Sequence, residues 1–218
     1  MLQSFTASGW STWNTDDGMQ IFLKLFLLVY CTLFLLFAML LPVYRVWRTT
    51  GLNPYKLGSS DSAHDYIGKN FRLAVTACTL VIFAFVFLPS LYRQLLPIPY
   101  VSHDAFAWIG IALLLFALVW ILIAQSQMQT SWRIGIDEDV RTDLVQRGLF
   151  KISRNPIFLG IRMMLVGLFL VLPNAVMLVI WVVGEMLIQI QVRLEEEFLT
   201  RIHGDHYRTY QQQVRRWI

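Results

Sequence analysis

Long uncharged runs alternate with short charged blocks along the chain, and the runs have the length of membrane spans. Leu25 to Tyr44, Leu73 to Tyr92 and Ala105 to Trp132 carry no charge. A hydrocarbon slab about 30 Å thick takes about 20 apolar residues in a helix, so each of the first two runs predicts one span. In the third, Gln125, Ser126, Gln127 and Gln129 mark the exit from the apolar stretch, which leaves a span over about Phe106 to Ala124. Asn155 to Val192 is 38 residues with only Arg162 and Glu185 charged, and Pro173-Asn174 divides it into halves of 18. Proline followed by asparagine is tight-turn chemistry, so this segment predicts a helical hairpin with arms of about 27 Å each, barely a span. The pattern as a whole predicts an all-α integral membrane protein with five transmembrane helices. Arg162 stands 11 residues before Pro173 and Glu185 11 after Asn174, so the hairpin brings them to one depth, where they are expected to pair as a clasp.

Composition confirms the class and charge orients it. Of 218 residues, 56% are hydrophobic and 15% charged, which excludes a disordered chain, a disulfide scaffold and an ordinary soluble enzyme. Three blocks, Arg45 to Arg72, Gln125 to Arg154 and Arg193 onward, each hold five of the 18 Lys and Arg. Residues 1–20 hold none. The positive-inside rule then puts the N-terminus outside and the C-terminus in the cytoplasm. Residues 1–20 read as an extracytoplasmic N-terminus, 21–126 as three spans with a cytoplasmic loop at 45–72, and 127–218 as the functional region, with the hairpin at 155–192. The net charge of +4 reflects this topology and contact with anionic lipids, not nucleic-acid binding. The N-terminus lacks a basic n-region and its first apolar run is too long for a cleaved signal peptide. Cys31 and Cys78 fall inside helices, where they pack as small hydrophobes. His203 and His206 have no third ligand nearby in the sequence, and no metal site is expected.

Chemistry is expected in the polar blocks, since no row of polar residues lines a pore. One block contains Leu144-Val145-Gln146-Arg147-Gly148-Leu149-Phe150 and Arg154-Asn155-Pro156-Ile157-Phe158-Leu159-Gly160. Gly148 supplies a turn, and the Asn155-Pro156 step is extended before it enters the fourth helix. The other block contains Glu195-Glu196 and Gly204-Asp205-His206-Tyr207-Arg208-Thr209-Tyr210-Gln211-Gln212-Gln213-Val214. A hairpin returns the fifth helix to the side where the fourth began, so the two blocks must meet.

In these segments, over roughly the last 90 residues, the sequence resembles the isoprenylcysteine carboxyl methyltransferase family and the wider group of membrane phospholipid methyltransferase-like proteins. The resemblance implies S-adenosylmethionine as cofactor, held on the cytoplasmic side, and a lipophilic substrate that enters from the bilayer: a prenylated cysteine-like carboxylate or a lipid headgroup. By position it assigns the cofactor to Thr142, Asp143, Leu144, Val145, Phe150, Asn155, Pro156, Ile157, Phe158 and Glu195. Arg193 is the nearest basic candidate for a substrate contact, with Arg154 beside it and Glu196 a general base if the acceptor is an amine. The chain departs from the family pattern at Asn155, where a histidine is usual, and at Phe158, where a tyrosine is usual. Asparagine still donates and accepts hydrogen bonds; phenylalanine loses the hydroxyl.

Methyl transfer from a sulfonium is an in-line displacement, for which positioning and water exclusion supply much of the rate. It needs neither a metal nor a covalent nucleophile. Plainer roles compete for the same residues: Arg193 can pair with Glu196 or Glu197 one turn on, and Arg154 can bind a lipid phosphate. Glu195 faces Leu199 at i+4 and has no such partner. Two other functions fit the same ending of the chain, a sterol-reductase-like NADPH oxidoreductase and a non-catalytic membrane protein that keeps the fold.

Overall fold

The computed structural model describes residues 17–51, 63–128 and 144–218. Thr142 and Asp143 lie outside the described residues, as do Ser59 to Ser62 of the 45–72 loop. Eight α-helices make up the described fold: α1 (Asp17–Leu33), α2 (Leu41–Thr50), α3 (Ala63–Phe87), α4 (Pro89–Arg93), α5 (Asp104–Met128), α6 (Pro156–Val171), α7 (Ala175–His203) and α8 (Asp205–Gln213). Among the described residues, four helical stretches are long and apolar enough to cross a membrane, Asp17–Thr49, His64–Phe87, Asp104–Met128 and Ala175–His203. The helical hairpin forms as the sequence predicts, but its first arm, α6, has 16 residues, about 24 Å of helix.

The tip of the hairpin explains how so short an arm is tolerated. Pro173 cannot continue the helix and holds the preceding residue out of the α region. Asn174, fully buried, caps α7 by accepting from the Met177 amide at 2.8 Å and donates to Tyr92 Oη at 3.2 Å and to the Leu172 carbonyl at 3.1 Å. The α4–α5 loop supplies the remaining partners: the Ile98 amide donates to the Pro173 carbonyl at 2.8 Å, and the Ala175 amide to the Leu96 carbonyl at 3.0 Å. The turn's polar groups thus find partners inside the protein and need no water, the condition for irregular backbone at membrane depth.

Helices α1 and α2 form one rod joined by a π-helical turn, Phe34–Leu40. Pro42 has no N–H for the Ala38 carbonyl four residues back. Gln125 of α5 replaces it, donating Nε2 to the Ala38 oxygen at 2.9 Å within the core. Hydroxyls on the apolar helices bond within their own turn, as Thr76 and Thr79 of α3 do to the Arg72 and Val75 carbonyls.

Helices α5 and α6 pack backbone to backbone, because glycines meet there. A Cβ on Gly110 would come within 2.8 Å of the Gly167 carbonyl, and one on Gly167 within 3.0 Å of the Gly110 carbonyl. Small residues let helices approach where no hydrophobic drive separates protein from lipid. Leu114, Ile121, Val171 and Ile188 fill the core, while Leu25, Leu80, Phe116 and Val179 face outward.

Candidate functional site

The polar end of the bundle is where α5 ends, α6 begins and α7 runs on into α8. Residues Leu144 to Arg147 approach it without regular structure, and a short 3-10 helix, Gly148–Lys151, leads on toward α6. Gly148 has φ +59°, a conformation suited to glycine. A Cβ there would also lie only 2.3 Å from the Gln127 side chain. That side chain latches the turn to the end of α5: Gln127 Oε1 accepts from the Leu149 amide at 2.8 Å, and its backbone carbonyl accepts from Arg147 Nη2 at 3.2 Å. Pro156 occupies the first turn of α6, where its missing N–H costs nothing.

Glu196 is the hub. Its carboxylate, in a residue 5% exposed, accepts from Arg154 Nε and Nη2 at 3.2 and 3.1 Å and from Asn155 Nδ2 at 3.1 Å. On its other edge Arg216 donates Nε to both oxygens at 3.2 Å and Nη2 to Oε2 at 2.8 Å. Arg154 spends Nη1 on the Gln211 and Val214 carbonyls. The stretch from Val214 to Arg216 is thereby strapped across the start of α6. Its backbone accepts from the Arg154 amide at 3.0 Å, from Ser153 Oγ at 3.0 Å and from Asn155 Nδ2 at 3.4 Å. Tyr210 of α8 adds a bond from its hydroxyl to the Phe150 carbonyl, and burial pushes that phenol up to about 12, so it remains a donor.

Glu195 faces away from this hub. Half-buried, it accepts from Gln191 Nε2 at 2.8 Å. Gln191 is itself buried, and its Oε1 has no hydrogen-bond partner among the described residues. A buried, unpaired acceptor beside a carboxylate is a pair of groups suited to N–H and O–H donors.

Arg193 is exposed and pairs with neither Glu196 nor Glu197 among the described residues; its Nη1 donates to the Gln189 carbonyl at 2.6 Å and to Gln189 Oε1 at 3.1 Å. Gln189 Nε2 in turn donates to Glu185 Oε1 at 2.8 Å, and Glu185 pairs with Arg162 Nε at 2.8 Å. The clasp between the hairpin arms therefore forms, and it is the lower end of a polar ladder along α7. The Arg162 guanidinium also stacks over the Trp217 ring, 4.4 Å from its centre. Between α6 and α7 at this level lies an open groove of about 610 Å³, walled by apolar side chains on both sides of the Arg162–Glu185 pair.

The structure thus brings together Arg154, Asn155 and Glu196 directly, with Phe150 tied in through Tyr210. Glu195 lies on the next position of α7 and Arg193 on the ladder. Leu144 and Val145 are half-buried at the start of the turn segment. Pro156 is buried and its carbonyl accepts from Trp120 Nε1 at 2.9 Å, while Ile157 is part-buried and Phe158 packs against the core. Sequence reasoning missed Arg216, Gln191, Ser153 and Gln127. Of these, Gln127 stands out in the sequence only as a mark of the exit from the apolar stretch, and Arg216 only as part of the basic-aromatic run Val214-Arg215-Arg216-Trp217-Ile218.

In a comparison with known families, residues 105–206 match the family model described as phospholipid methyltransferase. No curated protein matches the chain. The matched stretch begins at the top of α5 and runs into α8, enclosing both halves of the Glu196 hub except the Arg216 strap.

Proposed function

Because residues 105–206 match the family model described as phospholipid methyltransferase, we propose that this multi-pass membrane protein is an S-adenosylmethionine-dependent methyltransferase for a lipophilic substrate. The observation that carries the reading is that the family match spans the segment whose ends, Arg154-Asn155 and Glu195-Glu196, fold onto one another. We take 127–218 as the catalytic region, and the concentration of Lys and Arg at its polar end argues that this end is cytoplasmic.

The residues present suit the cofactor. S-adenosylmethionine carries donors, an ammonium, ribose hydroxyls and an adenine amine, and Gln191 Oε1 and Glu195 are acceptors one turn apart on α7. Glu195 and Gln191 would hold donors of the cofactor, with Leu144, Val145 and the Asn155–Phe158 stretch forming the rest of its wall. Bound there, it supplies a sulfonium methyl group. Two guanidiniums and an amide claim the Glu196 carboxylate, and a carboxylate so engaged is a weak base. In this reading Glu196 and Arg154 position the site, which assigns proton removal from an amine acceptor to Glu195. For a carboxylate acceptor no base is needed, because that group is ionised at neutral pH.

Isothermal titration of the purified protein in detergent with S-adenosylmethionine and with NADPH tests the proposal. Saturable binding of the first alone is the expected result. Binding of NADPH alone makes the protein a reductase, and binding of neither makes it a non-catalytic relative.

A further inference from the structure

The loop between α4 and α5, Leu95-Leu96-Pro97-Ile98-Pro99-Tyr100-Val101, is free of charge, with Arg93-Gln94 before it and His103-Asp104 after it. It is tied to the hairpin tip. Pro97 and Asn174 form an antiparallel bridge, flanked by the bonds from the Ile98 amide to Pro173 and from the Ala175 amide to Leu96. Leu96 makes its bond with φ +55°, a left-handed backbone that disfavours a side chain. Glycine would sit there without strain, yet the position carries a leucine that is 70% exposed. Tyr100, four residues on, is 88% exposed. Phe87, Leu88 and Leu91, also exposed, carry the outward-facing apolar surface of α3 up to this loop.

Depth says what covers the patch. Helix α6 has 16 residues, about 24 Å of helix against a hydrocarbon slab of about 30 Å. With Pro156 at the membrane face nearest Glu196, the tip at Pro173 therefore stops inside the opposite leaflet, and the bridge holds the loop at the same level. The loop backbone suits that position. Pro97 and Pro99 have no N–H, the Leu95 and Val101 amides donate to the Tyr92 and Ile98 carbonyls at 3.0 and 3.2 Å, and the Ser102 amide and hydroxyl donate to the Pro99 and Ile98 carbonyls at 3.1 and 2.9 Å. Irregular backbone at membrane depth requires internal partners of this kind.

We infer that the α4–α5 loop is a wedge set in the leaflet remote from Glu196, with Leu96 among the acyl chains and Tyr100 at the headgroup boundary. Tyrosine suits that boundary, since its ring takes the hydrocarbon and its hydroxyl the water. The left-handed backbone of Leu96 and its bare side chain then have one account: the conformation completes the hairpin tip, and lipid receives the side chain. Because loop and tip share a bridge, the wedge also fixes the depth of α6 and α7. This holds whether or not the protein transfers methyl groups.

The test uses the whole chain in phosphatidylcholine bilayer discs, which are open to water on both faces. A nitroxide attached to Leu96→Cys, Tyr100→Cys or His103→Cys reports contact with oxygen, which gathers among acyl chains, and with a water-borne nickel chelate. The parent chain treated in the same way gives the background from Cys31 and Cys78. Nickel contact in Leu96→Cys should be at least about tenfold below that in His103→Cys, an exposed position, with oxygen contact higher. Tyr100→Cys should fall between the two. Equal nickel contact in Leu96→Cys and His103→Cys puts the loop in water and overturns the proposal. Low contact with both probes in Leu96→Cys means that protein covers the loop, a second copy included, and overturns it as well. Should Leu96→Cys fail to fold, Tyr100→Cys decides alone by the same comparison with His103→Cys.

Discussion

Arg154 and Glu196 meet at 3.1 Å with side chains only 10% and 6% exposed, and this contact joins the residue before the Asn155-Pro156 step to the far end of α7. Glu196→Gln keeps the shape but leaves two guanidiniums without their counter-charge. Removing one partner of a buried ion pair costs about 3 kcal/mol or more. The melting temperature in detergent should fall sharply. Arg216→Ala, which removes the other partner from a more exposed position, should fall less, and the double variant should show less than the sum of the two losses. Additive losses would mean that Glu196 does not join the two arginines.

Gln125 and Pro42 offer a cycle that tests the core of the fold. Gln125→Leu leaves the Ala38 carbonyl without its donor, a buried loss of about 1–3 kcal/mol. Pro42→Ala restores a backbone N–H to the first rod, so Gln125→Leu should cost less in that background. An identical cost in both backgrounds, measured by thermal unfolding, would show that the proline does not create the need for Gln125.

These two cases show what was legible in the sequence. Pro173-Asn174 and the equal distances of Arg162 and Glu185 from it are local information, and helical geometry converts it directly into a hairpin and a pair. Helix ends were less legible, since apolar runs report the slab and not the helix. Helix α3 begins at Ala63, ten residues before the apolar run, and α7 continues to His203, because polar residues extend both helices into water without breaking them. At the site, topology placed the two blocks together and the missing i+4 charge singled out Glu195, but nothing in the sequence paired Glu196 with two arginines. One residue is about 100° around a helix, and that rotation decides which carboxylate meets Arg154 and which meets Gln191. Contacts such as Gln125 to Ala38, between residues 87 apart, depend on how two helices face each other and leave no mark on either sequence.

Glu195→Ala should weaken S-adenosylmethionine binding about tenfold or more, the scale of one charge-assisted hydrogen bond. Gln191→Leu should act in the same direction and less strongly, since it removes an acceptor and frees Glu195 to rotate. Calorimetric titration of both variants checks this. Undiminished binding in Glu195→Ala would move the cofactor away from this face of α7.

Gly148→Ala should disturb the site without touching the hub. The left-handed backbone disfavours a side chain by about 1 kcal/mol, and the added methyl displaces Gln127 from the Leu149 amide. Cofactor affinity should drop while the melting temperature falls only modestly. A variant that binds the cofactor as well as the parent would show that the α5 latch is dispensable for the turn segment.

The knotted tip at Pro173-Asn174 also bears on the kind of membrane that suits the protein. An arm of 16 residues is about 6 Å short of a 30 Å slab. With its turn already satisfied by Tyr92, Leu96 and Ile98, the arm has no reason to stretch, so the lipid must adapt instead. Bilayers of shorter chains would fit it with less distortion. Around α6 the hydrocarbon layer would dip on the side where the groove opens, bringing headgroups to Arg162 with less of a climb through oil.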